Sequence, residues 1–261
     1  MAAASASVLD IAHVGVQFGG LVALSDLNFS VGEGEIVSLI GPNGAGKTTA
    51  FNVVTGFLNP TKGEVRYRGA PLSGRKPHEI AEMGLIRTFQ RTSVFPNDTV
   101  YDNVLIGLHR RGKANLFDSI LGLPRSRASE RALRAQADEI VAWIGLSARA
   151  HDLAGSLSYG EQRLVGVGLA LAAEPTMLLL DEPVSGMNAS ETHAFVRLIR
   201  AIRDRGVTIL LVEHDMPMVM EVSDRIVVLN YGRIIAEGTP AEIRNNPDVI
   251  EAYLGRSARH A

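Results

Sequence analysis

The chain has 261 residues, 46% of them hydrophobic and 21% charged, with a formal net charge of −2 and no cysteine. That size and composition suit a globular protein able to bury a substantial core, as one large domain or a domain with a subdomain. The missing cysteines exclude disulfides, and the near-neutral charge argues against a dedicated nucleic-acid binder, which needs a basic field to release counterions.

The first eight residues carry neither a basic stretch nor a sustained apolar run, so no signal peptide is expected. The longest apolar run, residues 164–173, is too short to span a bilayer. The chain is expected to stay in the cytosol, reaching a membrane only if something else holds it there.

Strand patterns dominate the start, over residues 8–18, 27–31, 35–40 and 64–68, and the alternation in the first and last suits antiparallel strands with one covered face. Between the third and fourth stands the most informative run of the chain, Gly41-Pro42-Asn43-Gly44-Ala45-Gly46-Lys47-Thr48-Thr49. It fits the phosphate-cradling pattern G-x-x-x-x-G-K-[ST]. Glycines let backbone amides turn toward β- and γ-phosphate oxygens, Lys47 brings a point charge to them, and the Thr48 hydroxyl suits Mg²⁺. The run follows a buried strand pattern and opens a helix predicted over residues 48–57, which puts a phosphate at a helix N-terminus. A nucleoside triphosphate is the expected ligand.

A strand-like stretch at residues 85–89 precedes Gln90. From about Asn97 to Gly145 strand patterns vanish, and residues 130–144 read as an amphipathic helix through Leu133, Ala137, Ile140 and Ile144. Between His109 and Arg134 there are seven Lys/Arg and two acids, interrupted by an apolar cluster at residues 116–123. This basic stretch is either a solvated face or a surface for a partner or lipid headgroups. Three continuous apolar runs, residues 176–180, 207–212 and 226–229, read as buried parallel strands. A helix over 190–205 separates the first two, with Asn188 and Glu191 forming a capping box and Gly206 a natural stop. Strand–helix alternation of this kind means an α/β sheet.

The first of those runs leads into Asp181-Glu182-Pro183. A carboxylate at the C-terminal edge of a parallel strand stands where ligands bind in open sheets. Asp181 suits a Mg²⁺ shell, and Glu182 is placed to polarise an attacking water as general base. Twenty-three residues before Asp181 stands Ser158, in Leu157-Ser158-Tyr159-Gly160-Glu161-Gln162.

The order of P-loop, Gln90, this Ser-x-Gly element, Asp-Glu-Pro, Ser185-Gly186-Met187-Asn188 and His214 resembles the ATP-binding-cassette ATPases over nearly the whole chain. The resemblance implies an α/β P-loop NTPase core, a mixed sheet with an antiparallel β subdomain, plus an inserted α-helical subdomain. The single cassette domain, residues 1–261, would divide into a RecA-like core (1–90 and 166–261), a helical subdomain bearing the signature (91–165) and a C-terminal tail (240–261). It also implies a head-to-tail dimer that sandwiches ATP between one P-loop and the other subunit's signature, where Ser158, Gly160 and Glu161 would meet the nucleotide. Phe18 would stack on adenine, Gln90 would touch Mg²⁺ or the water, and His214 would hydrogen-bond the γ-phosphate.

Four positions depart from the family pattern. Tyr159 and Glu161 replace a glycine and the glutamine of the usual signature, Asn188 replaces an aspartate, and Leu169 stands where most relatives carry arginine. They put symmetric function of a homodimer in question.

Stretches at residues 17–24, 84–90, 156–163 and 243–255 resemble a subgroup, the ATP-binding subunits of branched-chain amino-acid importers. Residues 115–127 resemble the longer of that system's two paired ATPases. The implied cofactors are ATP and Mg²⁺. The implied partners are two integral-membrane permeases, a second ATPase subunit and, indirectly, an extracytoplasmic solute-binding protein, with no nucleic acid. The implied place is the cytoplasmic face of the cell membrane. Lipid or lipopolysaccharide export, and a soluble ATPase acting on nucleic acid or ribosomes, are the alternatives.

Overall fold

A computed structural model describes residues 7–88, 94–109 and 124–254. Gln90, residues 110–123 of the basic stretch, and the chain beyond 254 lie outside the described residues. The chain divides into two compact units, the first holding residues 1–87, 176–182 and 199–261, the second residues 88–175 and 183–198.

The first unit carries two sheets. Strands β1 (Ser7–Phe18) and β2 (Leu21–Gly32) form an antiparallel hairpin, and β1 pairs on its other edge with β4 (Lys62–Tyr67), which is followed by the short β5 (Ala70–Pro71). The hairpin begins its second strand at Leu21, six residues before the expected start. Leu21 and Val22 are exposed, so the apolar alternation that marks a strand is missing there.

The second sheet has the order β10-β9-β3-β8-β7-β6. Here β3 is Ile36–Ile40, β6 Leu85–Arg87, β7 Met177–Asp181, β8 Thr208–Val212, β9 Arg225–Asn230 and β10 Arg233–Gly238. All neighbours are parallel except β10, which closes the edge antiparallel to β9. Every residue of β3, β7 and β8 is buried, as the continuous apolar runs predict for central parallel strands. The strand β10 escapes sequence reading because it is half-covered and carries Arg233 and Glu237.

Helix α1 (Lys47–Val54) stops short of the expected Phe57. The Thr55 hydroxyl donates to the Phe51 carbonyl at 2.6 Å, and Gly56 turns the chain at φ +73°. Short helices α2 (Pro77–Glu82), α7 (Met216–Val222), α8 (Pro240–Arg244) and α9 (Pro247–Leu254) complete this unit.

The second unit is helical. It contains α3 (Val100–His109), α4 (Pro124–Trp143), α5 (Tyr159–Ala172) and the first part of α6 (Ala189–Asp204). Helix α4 begins six residues before the expected start and buries Ala137 and Val141, with Ile144 buried just beyond its end. Helix α5 packs against α3 and α4, and this unit runs on to residue 175. Asn103, wholly buried on α3, pins the preceding loop. Its Oδ1 accepts from the Phe95 amide (2.8 Å) and its Nδ2 donates to the Phe95 (3.0 Å) and Thr99 (2.9 Å) carbonyls. Among the described residues no helix is long and apolar enough to cross a membrane.

Candidate nucleotide-binding site

In the first unit β3 runs straight into the Gly41–Gly46 loop, and α1 begins at Lys47. The loop is close-packed from behind. A Cβ on Gly41 would stand 2.0 Å from the Leu229 carbonyl oxygen, and one on Gly46 2.9 Å from the Ala23 carbonyl oxygen. Gly46 caps α1 at φ +107° with no side-chain hydrogen bond, so the amides of the first turn are left for an external acceptor. The Gly232 amide, at the turn between β9 and β10, donates to the Ala45 carbonyl at 2.9 Å and holds the loop from its far side.

Lys47 Nζ donates to the carbonyls of Gly41 (2.6 Å) and Pro42 (3.0 Å). Burial pushes its ammonium below the ordinary lysine range, against the pull of Glu182 and Asp181. Thr48 and Thr49 follow in the first helical turn.

Strand β7 delivers the acids. Asp181, buried, accepts from Arg87 Nη2 at its Oδ2, 2.7 Å away. Glu182 stands just past the strand in a left-handed conformation, φ +46°, with its amide bound to the Val212 carbonyl at 2.9 Å. A non-glycine residue held this way costs about 1 kcal/mol or more, kept by the surrounding structure. The end of β8 brings His214, whose Nδ1 lies 4.0 Å from Glu182 Oε1. Glu213, almost fully buried, accepts the His214 amide at 2.9 Å and the Asp215 amide at 3.3 Å, which fixes the backbone below the imidazole.

Thus Gly41, Pro42, Asn43, Gly44, Ala45, Gly46, Lys47, Thr48, Thr49, Asp181, Glu182 and His214 share the first unit, on the ends of β3, β7 and β8. Phe18 closes β1 opposite Leu21 with its ring half exposed. Gln90 lies outside the described residues. Two participants gave no sequence signal as site residues: Arg87, one charge inside an apolar strand pattern, and Glu213, an acid ending a buried strand.

The signature belongs to the second unit. Ser158 N-caps α5, its hydroxyl accepting the Glu161 amide (3.2 Å) while the Glu161 carboxylate accepts the Ser158 amide (2.9 Å). Arg149 Nη1 lies 3.3 Å from the same carboxylate. The acid that departs from the family pattern is therefore engaged within its own chain and partly offset. Tyr159 accepts from Arg163 at 2.8 Å, and its ring lies 3.1 Å from where a Cβ on Gly186 would stand. A Cβ on Gly160 would stand 3.0 Å from the Glu191 carboxylate, so a side chain there would meet an acid. Asn188 and Glu191 exchange the two hydrogen bonds of a capping box, at 2.8 and 3.0 Å.

A glycine-lined loop opening a helix, with an Asp-Glu pair and a histidine on neighbouring strand ends, defines a nucleotide-hydrolysing P-loop protein. The ABC transporter family profile matches residues 24–185, and the profile for branched-chain amino acid ATP-binding cassette transporters matches residues 233–259. The high-affinity branched-chain amino acid transport ATP-binding protein BraF of Pseudomonas aeruginosa is 42% identical over 97% of this chain and 100% of its own length. Its counterpart LivG of Escherichia coli is 44% identical over 97% and 100%. Among solved structures, the ADP conformation of MJ1267, an ATP-binding cassette of an ABC transporter, superposes with a TM-score of 0.83 at 30% identity, covering 97% of this chain and all of that one. Part of the cbiONQ transporter complex, cbiO1 from Clostridium perfringens, gives 0.80 at 26% identity, covering 97% and 96%. This chain belongs to the ABC transporter family as an ATP-binding cassette subunit, and it is an ATPase.

Proposed function

We propose that this chain is the ATPase of an importer of branched-chain amino acids, docked on two permeases at the cytoplasmic membrane face and closed against a second ATPase subunit. The observation that carries the substrate class is the match of residues 233–259, a segment outside the catalytic motifs, to the branched-chain profile. Whole-length similarity to BraF and LivG supports it.

In this reading the P-loop amides and Lys47 hold the β- and γ-phosphates, and Phe18 stacks on adenine. Thr48 and Asp181, whose Oδ1 has no partner among the described residues, are hard oxygen donors that would hold Mg²⁺. Gln90 is assigned to the same shell. Bound there, the metal offsets charge on the transferring phosphoryl group. Glu182 takes a proton from the attacking water, and His214 donates to the γ-phosphate as charge develops. Ser158 and Gly160 of a facing cassette complete the pocket with a hydroxyl, an amide and a helix N-terminus, and Glu161 reaches the same side with its charge partly offset by Arg149. Binding of ATP favours the closed dimer, and hydrolysis reopens it.

The test is to purify the tagged chain from membranes, identify the permeases that accompany it, and measure ATP-driven uptake of leucine, isoleucine and valine in proteoliposomes. Uptake of these three that competes mutually is expected. A complex that transports other solutes but none of the three would overturn the substrate assignment.

A further inference from the structure

Arg87 is a buried cation that the ATPase reading leaves without work. Its side chain is 9% exposed and its ion-pair partner Asp181 8%. The guanidinium reaches three groups on two elements: Asp181 Oδ2 on β7 at 2.7 Å, and at α1 the Asn52 Oδ1 at 2.8 Å and the Thr55 hydroxyl just past that helix at 3.3 Å. It also lies over the Phe51 ring, 5.6 Å from its centroid. Arg87 is the last residue of β6, three positions before Gln90.

Two adjacent carboxylates repel a polyanion unless counter-charges stand beside them. Lys47, Arg87, Asp181 and Glu182 sum to zero. A fifth group, Glu213, accepts backbone amides of its own strand end and keeps its charge, so the five groups carry one net negative charge. Lys47 must serve the phosphates, so among the described residues Arg87 remains to cancel Asp181. The fork also engages only Oδ2, so it orients the carboxylate and leaves Oδ1 for another cation.

We propose that Arg87 is a positioning residue that acts through Asp181, serving as its resident counter-cation so that the site accepts ATP before a divalent metal is in place. The proposal rests on the nucleotide-site reading above. A metal ion delivers the same neutralisation, so Arg87 matters most when none is bound. The consequence is a split between two affinities. At an effective dielectric of about 20, one unit charge still changes the binding of an anion about tenfold from ~12 Å.

The experiment measures binding of a fluorescent ATP analogue, mant-ATP, with EDTA and with excess Mg²⁺, in purified full-length variants. Arg87→Met is expected to weaken metal-free binding about tenfold and Mg²⁺-bound binding under about threefold. Arg87→Lys keeps the charge and should hold metal-free affinity within about threefold of wild type. The double variant R87M/D181N, which buries no unpaired charge, should regain metal-free affinity and covers the case in which R87M does not fold. Equal weakening in both conditions, loss in R87K as large as in R87M, or no recovery in the double variant would overturn the proposal. Wild-type protein that binds the analogue in neither condition would instead sink the nucleotide-site reading itself.

Discussion

At the residue scale, the P-loop lysine trades stability for binding. Its folded pKa lies below its unfolded value because burial disfavours the ammonium more than the two acids favour it. A lysine with that shift burdens the fold when protonated. The burden is complete below both values and fades as pH rises through the folded and then the unfolded value near 10.5. Lys47→Met should therefore abolish ATP binding while the nucleotide-free protein melts no lower than wild type at neutral pH, with the difference shrinking above pH 10. Thermal unfolding without nucleotide checks this, and a clearly lower Tm for the variant would show that Lys47 is held favourably. Glu182 illustrates a similar exchange in the backbone, since its left-handed φ of +46° is costly for a residue with a Cβ but throws the carboxylate off the strand end toward His214.

At the scale of elements, the helical unit depends on how closely α3 and α5 approach. A Cβ on Gly107 would stand 2.8 Å from the Ala172 Cβ and 3.2 Å from the Leu169 carbonyl oxygen. Neither neighbour can swing aside, one being a methyl and the other backbone. Replacing a helical glycine with alanine ordinarily gains about 0.5–1 kcal/mol, whereas overpacking costs about 1–3 kcal/mol. Overpacking wins, so Gly107→Ala should destabilise by about 1 kcal/mol. A methyl added at Gly166, within α5, would meet nothing within 4 Å. Gly166→Ala should stabilise by about 0.5–1 kcal/mol. Thermal melts of the two variants should move in opposite directions, and parallel shifts would remove the close approach as the reason for Gly107. Leu169 contributes backbone to this contact while its side chain is half-buried, a setting that suits an apolar residue.

At the scale of the whole molecule, the proposed ATP sandwich is where catalysis and transport would meet. Glu182→Gln keeps the shape and hydrogen-bonding reach of the side chain and loses only the proposed base. Turnover should fall about 10²–10⁴-fold with ATP affinity retained. Blocking hydrolysis should also accumulate the closed dimer in Mg-ATP, with itself or with a second ATPase, detectable by size-exclusion chromatography with light scattering. Turnover within about threefold of wild type would remove Glu182 from the role of base. A mutant that stays monomeric alone and inside its membrane complex would remove the sandwich. The signature geometry bears on which dimer forms. Glu161 caps its own helix and faces Arg149, so its negative charge is partly offset before any nucleotide arrives.

Much of this is legible in the chain because the deciding features are contiguous. The P-loop, the Asp-Glu pair after a buried strand, and the Asn188–Glu191 cap each lie within a few residues, where glycine conformations, strand ends and capping hydrogen bonds are local consequences of residue type. The three central strands are readable because strands buried on both faces are continuously apolar. Half-covered elements such as β10, and the short α8 and α9, carry no such period and escape a reading of the sequence. What only the tertiary structure decided is pairing at a distance. Arg87 and Asp181 stand 94 residues apart in sequence yet share a 2.7 Å contact, and the Gly232 amide grips the P-loop at Ala45 from the far turn of a different hairpin. No local pattern encodes such partners, because a buried charge reads the same as an exposed one until the sheet order brings its counter-ion alongside.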